Sequence, residues 1–140
     1  LKQMEARLNE ALAAGRFPEA EQIALQMIDV ARREAGRLAP DIQPAVKSNL
    51  AGVYATWGKF RNAERLSLES IAELEQLHGR EHKLLEQPLS NLGIAYFSQE
   101  RFAEAAAAQR RALALRQRHY GANSPLVASG LENLAVTLDN

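Results

Sequence analysis

Apolar positions along the chain recur at helical spacing, not at the two-residue spacing of strands. Over Asp41 to Trp57, the side chains of Val46, Leu50, Val53 and Tyr54 share one helical face. Over Phe60 to Leu77, the apolar set is Ala63, Leu66, Leu68, Ile71, Leu74 and Leu77. Gly58-Lys59 separates the two stretches, and Gly suits a left-handed residue just past a helix end. Gly79 stops the second. The same pattern predicts helices from Lys2 to Ala14, Pro18 to Gly36, Lys83 to Gln99 and Phe102 to Tyr120. A last one runs from Leu126 to Asp139, entered through Ser124 as N-cap and Pro125 at the first helical position. Pro18 and Pro44 fall in first turns. Pro88 lies deeper: either it bends a helix begun at Lys83, or that helix starts near Leu85.

The pattern repeats. Asn49-Leu50, Asn91-Leu92 and Asn133-Leu134 recur at a constant spacing of 42, and Tyr54 and Tyr96, Phe60 and Phe102, Ala63 and Ala105, Gly79 and Gly121 keep the same step. Gly15, Phe17, Ala20 and Gly36 match Gly58, Phe60, Ala63 and Gly79 at a spacing of 43. The units are about 1–40, 41–82, 83–124 and a partial fourth, 125–140. A single helix pair cannot bury its apolar face, so such units stack. The expected fold is all-α: one repeat domain, an open right-handed α-solenoid of antiparallel helix pairs with about seven helices. In the last helix Leu131, Leu134, Ala135 and Leu138 have no second helix over them. That predicts a fragment of a longer array, or self-association through 126–139.

The turn sequences carry a resemblance. Gly58-Lys59-Phe60-Arg61-Asn62-Ala63-Glu64, Gly15-Arg16-Phe17-Pro18-Glu19-Ala20-Glu21 and the variant Glu100-Arg101-Phe102-Ala103-Glu104-Ala105 resemble the tetratricopeptide repeat (TPR) at its inter-helix turn. The long period, Asn133-Leu134-Ala135 and the stretch His119 to Ala128 resemble the kinesin-light-chain subtype. The resemblance implies that first helices line a concave face, second helices a convex one, and that the groove binds a protein or peptide segment. It also implies that the Asn column, Asn49, Asn91 and Asn133, faces this groove and bonds the backbone of an extended peptide. In the first unit, helical spacing gives Asn9 and Lys2 as the counterpart groove positions. A carboxamide suits that task because it both donates and accepts. The competing role is to tie adjacent helices together.

Other groove positions follow by helical spacing: Ala45, Ser48, Gly52, Ala55 and Thr56, then Gln87, Ser90, Ile94, Phe97 and Ser98. This lining is small and uncharged, with Phe97 its one aromatic. One class of these repeats grips a terminal carboxylate with cations beside two Asn residues. Asn9 and Asn49 match that pair, but Glu5, Gln87 and Asn91 stand where cations would be.

Composition narrows the function further. Ala and Leu together make up about a third of the chain, and Val, Ile and Thr together less than a tenth, which favours helix. Seventeen basic residues balance seventeen acidic ones, so neither nucleic acid nor an anionic membrane is an expected partner. Cysteine is absent, which removes thiolate chemistry and suits the cytoplasm while leaving the periplasm open. Arg110, Arg111, Arg116 and Arg118 are expected on a solvated convex face, paired with Glu100 and Glu104. Trp57 is expected in packing or as a partly exposed anchor. His78 and His82 straddle Gly79, so no shared helix face and no metal site are expected from them. No phosphate loop, nucleophile elbow or carboxylate pair occurs. The reading is a non-enzymatic, cofactor-free binding module. Its alternatives are a regulatory or self-association arm of a larger protein and, further off, an enzyme.

Overall fold

A computed structural model describes residues 1–140. It contains α1 (Lys2–Ala13), α2 (Phe17–Arg33), α3 (Ile42–Trp57), α4 (Phe60–His78), α5 (Glu86–Ser98), α6 (Phe102–Tyr120) and α7 (Pro125–Leu138). A 3-10 turn, Lys83–Leu85, leads into α5. Successive helices pack side by side, α1 on α2, α3 on α4, α5 on α6 and α7 on α6, with α2–α3 and α4–α5 joining the pairs. The result is an open right-handed solenoid with no strands. No helix is long and apolar enough to cross a membrane.

Local chemistry sets the boundaries. Gly15 and Gly58 take positive φ at the inter-helix turns, +73° and +89°. One period after Gly58, Glu100 adopts φ 61° without glycine's freedom, at a cost of about 1 kcal/mol. Pro88 settles the start of α5: the α-helix begins at Glu86, so Pro88 is its third residue, as Pro44 is in α3. Neither ring then displaces a helical hydrogen bond. α2 ends at Arg33, ahead of the expected stop at Gly36; Arg32 and Arg33 there face the negative end of the helix dipole. Ser124 Oγ accepts the Leu126 N–H at 3.2 Å, and Pro125 opens α7.

Two apolar clusters form the core. One holds Leu8, Ile23, Met27, Leu50, Val53 and Leu66; the other holds Ile71, Leu74, Leu85, Leu89, Leu92 and Leu115. Ala20, Ala63 and Ala105, one per unit, are fully buried where second helices approach their neighbours. Leu68 and Leu77, expected in the apolar set of α4, lie exposed instead. Leu68 lies off the inward face through Leu66, Ile71 and Leu74, whereas Leu77 shares that face but sits in the last turn of α4, at the helix end.

Candidate functional site

α1, α3, α5 and α7 are the four first helices, and the three gaps between them differ. Only α3 and α5 pack directly on each other; α1 and α3, like α5 and α7, make almost no direct contact. A hydrogen-bonded strap closes the middle gap. Asn91 Nδ2 donates to the Ser48 carbonyl at 3.1 Å and to Ser48 Oγ at 3.4 Å, while its Oδ1 accepts from Gln87 Nε2 at 3.3 Å. Both Asn91 and Ser48 are buried. At this position the amide ties two helices together.

The outer gaps stay open. A cavity of about 420 Å³ spans α1, α3 and the start of α5. It gathers Asn9, Ser48, Asn49, Gly52 and Gln87 from the expected groove, with Leu8, Leu12, Leu74 and Leu84 as its apolar part. Glu5 is its one charged lining residue. The side-chain amides of Asn9 and Asn49 have no hydrogen bond within the chain. A second cavity, about 230 Å³, lies between α5 and α7 and gathers Ile94, Phe97, Ser98 and Asn133 with Gln109, Val136 and Thr137. Ser90 lines an adjoining hollow with Ile94, Gln109, Arg116 and Asn133. The Phe97 ring is fixed edge-on against Phe102, 5.3 Å between centroids. Thr56 joins neither cavity: it is exposed and donates to the Gly52 carbonyl at 2.9 Å.

The second helices contribute more than expected. Gln109 and Arg116 of α6, and Leu74 of α4, also line these cavities. Arg116 is not on a solvated convex face. Its side chain is 17 % exposed and bonds Glu86 at 2.7 Å, Ser90 Oγ at 3.2 Å and the Leu126 carbonyl at 3.2 Å. Arg111 and Arg118 pair with Glu75 and Glu81, and Glu104 pairs with Arg101, so the expected pairing within α6 is replaced by bonds between elements and to the turn. The signal for Gln109 was in the sequence: one period after Ser67, it is a second polar residue on a packed face.

Elsewhere polar groups serve the framework. Tyr54 donates to Glu21 at 2.6 Å, and burial, with that bond, pushes its pKa up to about 12. Trp57 is half-buried, stacked on Phe17 and covered by the Lys59 ammonium. The His78 and His82 rings stack at 4.0 Å because the chain folds back after Gly79. His78 bonds Asp41, and His82 Nδ1 accepts from the Leu84 N–H. Burial and then His78 lower the His82 pKa. No three metal-ligating side chains converge anywhere in the molecule.

A sequence profile of the tetratricopeptide repeat matches residues 43–118 and 84–139. No curated protein matches the chain. Among solved structures, that of BtubC (BKLC) from P. vanneervenii superposes with a TM-score of 0.85 at 24% identity, covering 97% of this chain and 53% of the other. A putative kinesin light chain with nearly identical TPR-like repeats, from Podosopora anserina, gives 0.84 at 19%, covering 98% and 64%. The chain thus spans between half and two thirds of the length of these relatives. Its repeated turn, its long period and its fold agree: the chain belongs to the tetratricopeptide repeat family, with the fold of kinesin-light-chain-type repeats.

Proposed function

We propose that the protein is a cytoplasmic, non-enzymatic interaction module that holds an extended peptide segment along its concave groove. The observation that carries this is the pair of unbonded amides, Asn9 and Asn49, lining one 420 Å³ cavity beside the apolar Leu8, Leu12 and Leu84. Free carboxamides next to apolar wall match a peptide, which offers backbone donors and acceptors together with side chains to anchor. Asn91 is not assigned this role, since its amide is committed to Ser48. The test uses octapeptides selected from a random phage-displayed library. Asn49→Ala is expected to weaken them about tenfold, the loss of one or two hydrogen bonds, while thermal stability stays within about 0.5 kcal/mol of the parent. Failure to select any peptide above background would sink the reading.

α7 favours a second reading beside the first. Leu131 and Leu138 are about half exposed, whereas Leu89 and Tyr96, one period before them, are buried beneath α6. An apolar face of this kind drives association. We infer that the isolated chain pairs through α7. Sedimentation velocity should show a dimer that Leu131→Glu/Leu138→Glu converts to monomer; a concentration-independent monomer in the parent chain would rule pairing out.

A further inference from the structure

Two buried side-chain polar atoms in the whole protein have no hydrogen-bond partner: Ser67 Oγ and Gln109 Oε1. They stand one period apart, at the same place in successive units. Ser67 lies on α4 behind the strapped α3–α5 gap, and Gln109 lies on α6 behind the open α5–α7 gap. The ingredients of the strap are present in both gaps. Ser48 and Asn91 have the same separation along the chain as Ser90 and Asn133. Yet only the first pair bonds. In the α5–α7 gap Arg116 occupies the place that Leu74 has in α4, and its guanidinium takes Ser90 Oγ. The Asn133 amide is left without a bond inside the chain, and the gap stays open.

The open gap is fitted out. Gly93 makes room for Gln109: a Cβ there would lie 3.1 Å from Gln109 Cγ. The counterpart pair in unit two is Ala51 with the smaller Ser67. Ile94 and Val136, 47 % and 55 % exposed, line the cavity together with Phe97. None of its lining residues is charged. The neighbouring Arg116 is already held by Glu86, Ser90 and the Leu126 carbonyl.

We infer that the trough between α5 and α7 is a subsite for one peptide unit and its apolar side chain: Gln109 and Asn133 bond the unit, and Ile94, Phe97 and Val136 take the side chain. The inference rests on the groove reading above and adds the chemistry of the segment at this point, apolar and uncharged. A buried carboxamide end without a partner carries a desolvation penalty, and the Gln109 amide is uncommitted within the chain. The Gln109 side chain also lines the cavity, and a peptide unit can bond whichever end of the amide is turned to it, because it carries both an N–H and a carbonyl. A charged side chain would find no counter-ion in the cavity and would be penalised by desolvation.

The experiment measures the same selected octapeptides against Gln109→Leu and Val136→Asp. A purely structural Gln109 predicts that Leu leaves stability unchanged or raises it, because an unsatisfied polar atom is removed, and leaves binding untouched. The subsite predicts a five- to twentyfold loss of affinity in Gln109→Leu at unchanged or higher thermal stability. Val136→Asp, at an exposed position that does not threaten folding, should lose at least as much. Selected peptides should share one apolar position, and changing it to Ser should weaken binding to the parent but add little to the loss in Val136→Asp. Peptides that respond to Asn49→Ala but not to Gln109→Leu or Val136→Asp would overturn this inference and leave the groove reading standing. If no octapeptide binds, both fall.

Discussion

Leu85→Ala is expected to lower the stability of the α5–α7 half by about 3 kcal/mol, the usual cost of emptying a buried leucine site. Leu85 is fully buried, in the turn before α5, and belongs to the cluster that joins Ile71 and Leu74 of α4 to Leu89 and Leu115. The apolar core is divided, so the loss should not spread evenly. In a stacked repeat each unit is stabilised by its neighbours alone, and a weakened junction lets one part open before the other. The single tryptophan reports on one side of that junction: Trp57 ends α3, stacks on Phe17 of α2 and packs against the first cluster. In urea, far-UV dichroism of the variant should begin to fall well before Trp57 fluorescence changes, whereas the two should coincide in the parent protein. Coincident transitions in the variant would mean that the two clusters unfold as one body.

The helices were legible because their pattern is written three times. A constant period lets Asn49, Asn91 and Asn133 calibrate each other, and the turn residues punctuate every unit. The end of α2 was less legible because Ala35 and Gly36 continue the spacing without packing. Pro88 had two readings, and the start of α5 at Glu86, after a 3-10 turn, chose the later one. The lining of the cavities was half legible. Positions on the first helices follow from spacing, but Gln109 and Arg116 reach the cavities from behind, through gaps whose width no local pattern states. The Ser–Asn pair shows why. It occurs at the same spacing in both gaps and bonds in one, and the residues that differ behind the two gaps, Leu74 and Arg116, lie on other helices.

That choice between Leu74 and Arg116 can be tested as energy. Unit two solves the position with apolar groups, Pro44 and Leu74, both buried. Unit three solves it with an ion pair, Glu86 and Arg116, each 17 % exposed and 2.7 Å apart. Removing one member of a largely desolvated pair strands the other, so Arg116→Leu alone is expected to cost about 3 kcal/mol. Replacing both removes the stranded charge. Glu86→Leu/Arg116→Leu should recover all but about 1 kcal/mol, the remainder being what Glu86 contributes at the positive N-terminus of α5. Urea midpoints of the parent, the two single variants and the double variant close the cycle and give the coupling directly. Additive losses would show that the pair is screened by solvent despite its burial. The double variant also releases Ser90 Oγ from Arg116, and we expect the Asn133 amide to take it up, as Asn91 takes Ser48 Oγ beside the Ser48 carbonyl. With the third gap strapped like the second, peptide affinity should cease to depend on Gln109. One arginine would thereby be shown to hold a groove position open at the expense of a helix tie.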